Sequence, residues 1–120
     1  MEKLTKKEEE IMRLFWEKGP MFVRDLVAIF PEPKPHFNTL STIVRTLESK
    51  AYLSHTSFGA THQYFAKIDK EHFNKMTLTN VVSKYFANSY VNAVSALVEE
   101  EKLSADELRD LLDKINAKNP

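Results

Sequence analysis

Asn38, Thr42, Arg45 and Ser49 fall at the i, i+4, i+7, i+11 spacing of a single helix face within the stretch from Pro35 to Lys50. Ser41 and Thr46 flank that stripe. No Asp or Glu lies on it, although the chain has 17 acidic and 17 basic residues. Asn, Thr, Ser and Arg are short or fork-shaped hydrogen bonders. They suit base edges and phosphate oxygens better than do the Glu and Lys of an ordinary solvated face. The opposite side carries Leu40, Ile43, Val44 and Leu47, the i, i+3, i+4, i+7 pattern of a helix packed on a core. The stretch therefore reads as a recognition helix for a nucleic-acid groove. Taken alone, it reads equally well as an amphipathic helix with a Ser/Thr-rich outer face.

Other chemistry is poorly supplied. There is no cysteine, which removes disulfides, thiol nucleophiles and every cysteine-containing metal site. His36, His55, His62 and His72 form no ligand spacing, and only His62, beside a turn, is placed to meet phosphate. Glu99, Glu100 and Glu101 read as a charged helix face. Two glycines cannot build a phosphate-cradling loop, and no Ser/His/Asp set has a supporting motif. The expectation is a non-enzyme without metal or other cofactor.

The net charge is zero, but its distribution is uneven. Between Pro33 and Lys67 the bases Lys34, Arg45, Lys50 and Lys67 face a lone Glu48, a local basic patch of the kind that meets phosphates. The charged start MEKLTKKEEE does not read as a signal peptide, and no apolar run approaches the ~20 residues of a membrane helix. A cytoplasmic location follows as an expectation.

The elements that position the polar stripe can be read in order. Thr5 and Glu8 form a capping box for a helix whose inner face is Ile11, Met12, Phe15 and Trp16, with Trp16 as a core anchor. Gly19-Pro20 ends it. Met21-Phe22-Val23 is long enough only for a bridging strand. Arg24 to Phe30 forms a short second helix, and Pro31, Pro33 and Pro35 set the rigid entry to the third. After Lys50 the period changes to two: Ala51–Thr56 and His62–Ala66 read as strands around a turn at Ser57–Thr61. Helix, short strand, helix, helix, hairpin is the order of a winged helix-turn-helix.

From Asp69 onward the pattern is helical. Three apolar faces follow: Leu78, Val81, Val82, Tyr85 and Phe86; Tyr90, Val91, Val94, Leu97 and Val98; Leu108, Leu111, Leu112 and Ile115. Three short helices bury such faces poorly alone. They read as a homodimer interface, or else as a segment folded back on the first domain. The fold class expected is mainly α with a small β-hairpin wing: a winged-helix DNA-binding domain over 1–68 and a three-helix dimerisation domain over 69–120.

On this reading Asn38 and Arg45 meet base edges, with Thr42, Thr46 and Ser49 on or beside the same stripe. Arg24, Thr39, Ser41, Lys50, His62 and Gln63 meet the backbone of double-stranded DNA. The other open reading is a winged-helix protein–protein module without DNA affinity, because fold does not fix function.

Nearly the whole chain also resembles the penicillinase-repressor family of bacterial winged-helix transcription repressors, which has copper-responsive relatives. The resemblance is carried by LTKKEEEIMRLFW (Leu4–Trp16), Gly19-Pro20, Val23–Leu26, Asn38–Ile43 with Leu47 and Lys50, Tyr64, Ser95–Val98, Glu101–Ser104 and Glu107-Leu108. It implies a dimer on a palindromic operator with the third helix in the major groove. It also implies repression of resistance genes, relieved when a membrane sensor-protease signal leads to cleavage in the dimerisation domain. The family's Asn-Phe cleavage dipeptide corresponds to Ala96-Leu97 here. Ala51 stands where the family usually has Gly, which predicts an altered corner between the third helix and the wing. Thr46 replaces the family's Arg, which predicts a different operator preference, and the copper branch's Cys-x-Cys hook is absent.

Overall fold

The computed structural model describes residues 2–118. The elements are α1 (Lys6–Lys18), β1 (Met21–Phe22), α2 (Val23–Ile29), α3 (Phe37–Ser49), β2 (Leu53–Phe58), β3 (Thr61–Ala66), α4 (Lys70–Tyr85), α5 (Tyr90–Glu99) and α6 (Ala105–Lys118). The chain is mainly helical with a small antiparallel sheet in the order β1-β3-β2. It divides into two compact units, 1–74 and 75–120.

The first unit is a winged helix. Thr5 caps α1 as its sequence requires: its hydroxyl accepts from the Glu8 N–H at 3.1 Å, and the Glu8 carboxylate accepts from the Thr5 N–H at 2.8 Å. Gly19 closes the helix at φ +83°, a left-handed conformation that glycine adopts without strain, and donates its N–H to Phe15. At the start of α2, Asp25 accepts from the Phe22 N–H at 3.0 Å. Ile11, Met12, Leu26, Leu40, Val44, Leu47 and Leu53 are fully buried and form one core drawn from α1, α2, α3 and β2. Ile43, expected on that face, is half-buried at its edge.

Trp16 is half-buried rather than enclosed. Its indole N–H donates to the Ile68 carbonyl at 2.9 Å, and its ring lies 5.1 Å from Phe73. Phe73 also meets Tyr52 edge-on, so this unit runs past the compositional break at 68/69 into the first turn of α4. The hairpin is longer than the sequence pattern indicates. β2 continues to Phe58 and β3 starts at Thr61, leaving a two-residue turn at Gly59-Ala60 with Gly59 at φ +61°. Polar residues at the wing tip weaken the hydrophobic alternation that would mark these strand ends.

The second unit holds most of α4, then α5 and α6. Ser89 caps α5 by accepting from the Asn92 N–H at 3.1 Å. Ser104 and Glu107 form the expected second capping box, at 3.1 and 3.0 Å. Val82 is buried, while Leu78, Val81, Tyr85, Tyr90, Val91, Val94, Leu97, Val98, Leu111, Leu112 and Ile115 stand exposed on the single chain. Among the described residues, no helix is long and apolar enough to cross a membrane.

Candidate nucleic-acid interface

α3 carries the polar stripe outward. Burial of Leu40, Val44 and Leu47 fixes its rotation, which leaves Asn38, Thr39, Thr42, Arg45 and Ser49 exposed and Ser41 and Thr46 half-exposed beside them. The Thr42 hydroxyl donates to the Asn38 carbonyl and the Thr46 hydroxyl to the Thr42 carbonyl, each at 2.9 Å. These back-bonds occupy the threonine protons and leave oxygen lone pairs and methyl groups for a partner. Arg45 folds back weakly toward the Ser41 carbonyl at 3.4 Å.

Glu48 is the sole acid of α3, and it is held off the stripe: its carboxylate lies 2.5 Å from His55 Nδ1 on β2. The outer face is thereby kept free of unpaired negative charge. His62 and Gln63 lie on β3, exposed and half-exposed respectively. Arg24, exposed at the start of α2, sits 4.7 Å over the Phe22 ring, which meets Phe58 of the wing edge-on at 5.8 Å. This aromatic contact ties β1, at the entry to α2, to the wing.

Lys50 is placed elsewhere. Its ammonium is 2.7 Å from the Glu8 carboxylate, with the Lys50 side chain 16% exposed and that of Glu8 7%. It also reaches the Lys3 carbonyl at 3.3 Å. Lys50 was expected to meet phosphate, but it turns toward α1 because a buried carboxylate there requires a cation. Burial pushes the Glu8 carboxyl up. The hydrogen bonds from Lys50 and Thr5 and the Lys50 charge outweigh burial and leave it below the ordinary glutamate range.

Ala51 takes the left-handed conformation, at φ +69°. The Ala51 N–H donates to Glu48 and the Tyr52 N–H to Leu47, closing α3 and directing the chain into β2. The alanine thus occupies a backbone position that a glycine would favour.

Three features of this surface escaped the sequence reading. Phe37, the first residue of α3, is exposed, and an apolar residue outside the polar stripe gave no signal for it. Glu48 was read only as a lone acid. His55 was missed because the misplaced turn hid its register with His62; two-residue alternation from Leu53 would have placed it on the face turned toward α3.

A third helix with a polar, acid-free outer stripe beside a two-stranded wing defines a winged-helix DNA-binding domain of a transcription regulator. The family match agrees. The family model described as Penicillinase repressor covers residues 4–117, and the chain belongs to the penicillinase-repressor family, whose members are transcriptional repressors rather than enzymes. It is 22% identical over 116 residues to the Methicillin resistance regulatory protein MecI of Staphylococcus aureus (strain N315), covering 96% of this chain and 94% of that protein. Proteins of the same name from Staphylococcus epidermidis and Mammaliicoccus sciuri match to the same extent.

Proposed function

We propose that this repressor acts as a homodimer that binds a palindromic operator, with α3 in the major groove and the wing on flanking phosphates. The acid-free exposed stripe of α3 carries this reading. Asn38 and Arg45 are the base-reading residues, with Thr42, Thr46 and Ser49 beside them. Arg24, Thr39, Ser41, His62 and Gln63 position the backbone. Lys50 is left out because Glu8 holds its charge.

The exposed apolar faces of α4, α5 and α6 support a dimer formed by the second unit, since apolar surface of that extent marks an interaction site. Two linked winged helices gain from effective concentration a factor of ~10²–10⁴ over one. Cleavage at Ala96-Leu97, prompted by a membrane sensor-protease, would split α5 and separate α6 from the rest, and with them the shared surface. Both residues lie inside α5, so a protease needs that helix to open first.

Arg45→Ala is the direct test of base readout. A lost bidentate base contact costs about 1–3 kcal/mol at one position. Affinity for the operator should fall more than affinity for mixed-sequence duplex. Equal losses on both would make Arg45 a phosphate contact and remove the base-reading role.

A further inference from the structure

The register of the wing places His55 opposite Tyr64 and Ser57 opposite His62, so all four share one face of the hairpin. The face buries Leu53 and Tyr64 and then continues outward as His55 and His62. The two imidazole rings stack with centroids 4.0 Å apart and planes 6° from parallel. Glu48 accepts at His55 Nδ1, so that nitrogen carries a hydrogen, and His62 is the exposed member of the pair. A line of contact therefore runs from a carboxylate on α3, through an imidazole on β2, to an imidazole on the rim of the wing.

The charges around this pair are few. Glu48 faces it from α3, and the charge of Arg45 on the same helix reaches the adjoining Tyr64. Tyr64 lies 5.6 and 6.2 Å from the two rings; burial, then Glu48, push its phenol up against an opposing effect of Arg45, and it is neutral. β1 adds none, since Met21 and Phe22 stand opposite Tyr64 and Gln63. The one carboxylate here, that of Glu48, is already engaged by His55. A positive charge on His62 therefore lacks a counter-charge of its own until another anion arrives. Imidazole is also the side chain whose charge changes across neutral pH.

We propose that DNA binding by this chain takes up about one proton, which resides on His62 against a backbone phosphate, and that His55, held by Glu48, is the positioning residue that fixes the His62 ring at the rim of the wing. The inference rests on the DNA-binding reading. Parallel rings cannot aim both lone pairs at one ion, and among the described residues no three His, Cys, Asp or Glu side chains gather as a metal site.

The experiment is titration of the full chain with a mixed-sequence duplex of about 30 base pairs, room for two half-sites, at constant salt. The pH runs from about 8 to 6, and calorimetry in buffers of different ionisation enthalpy counts the protons. Affinity should rise by up to about tenfold per pH unit as one proton is linked to binding. His62→Gln should abolish most of that slope. His55→Gln should reduce the proton uptake while leaving affinity at pH 8 unchanged, because the ring that His62 stacks on is gone; a purely structural role would lower affinity alike at every pH, and either that or an uptake unchanged in His55→Gln would remove the positioning role. His36→Gln and His72→Gln serve as background and should match the wild type. Circular dichroism at each pH confirms that each variant is folded, and exposed His62 tolerates replacement. A slope unchanged in His62→Gln, or lost instead in His36→Gln or His72→Gln, overturns the proposal. Absence of binding at every pH would defeat the DNA-binding reading itself, and the inference with it.

Discussion

The two units handle apolar surface in opposite ways. The winged helix closes seven fully buried side chains into a core contributed by three helices and a strand. The C-terminal helices have caps as good as those of α1, yet Tyr85 is 69% exposed, Val91 74% and Leu97 45%. Caps and periodicity make a helix; they do not supply a surface to pack it on. The sheet closes one side of the first unit, whereas the second has no sheet among its described residues. The second unit leaves apolar faces open on the single chain, and the proposed dimer would cover them with a second copy of the same faces.

The sharpest way to break this contrast is to charge an exposed apolar face. Leu97→Asp should weaken the proposed dimer by on the order of 4 kcal/mol, because a carboxylate buried without a partner is costly. The winged helix, with its own core, should keep its fold. Sedimentation across a concentration series checks the first outcome and near-ultraviolet dichroism the second. A fragment ending at Ala96 should behave alike; if it dimerises and binds operator as tightly as the full chain, the dimer is made elsewhere.

Somewhat smaller is the effect of opening the ion pair that joins α1 to the end of α3. Lys50→Ala leaves the Glu8 carboxylate buried and unpaired, and should lower unfolding stability by about 3 kcal/mol. It should leave the salt dependence of DNA affinity unchanged, since Lys50 does not face outward; a flattened slope would return Lys50 to the interface. The pH dependence has a definite sign. The folded-state pKa of Glu8 is depressed, so its contribution is present above the ordinary value of 4.5 and is lost as pH falls through the lower folded value. Urea unfolding of wild type and variant should therefore give stabilities that draw together in acid.

The smallest effect expected is a gain. Ala51 sits at φ +69°, where a Cβ crowds the backbone, and Ala51→Gly should relieve about 0.5–1 kcal/mol. A rise in thermal midpoint, with DNA affinity unchanged, checks it. Ala87, Asn88 and Glu101 also take positive φ, in the turns around α5. The corner at Ala51 differs in lying within the unit that has a closed core, where packing on both sides holds it.

Much of this protein is local and so was legible in its residues. The capping boxes at Thr5 and Ser104, the stop at Gly19, the amphipathic period of α3 and the acid-free stripe opposite Leu40 and Leu47 each follow from neighbours within a turn or two. The family resemblance is of the same kind, an ordered set of such signals along the chain. What the tertiary structure decided lies in contacts between distant positions. Lys50 meets Glu8 across 42 residues, and nothing beside Lys50 distinguishes a cation bound for phosphate from one bound for a buried carboxylate. The wing's extra strand residues, and with them the stacking of His55 on His62 and the hold of Glu48, depended on cross-strand register. Register is set by which side chains find a core to enter, and the polar wing tip has none, so pattern could not fix it before the hairpin was packed.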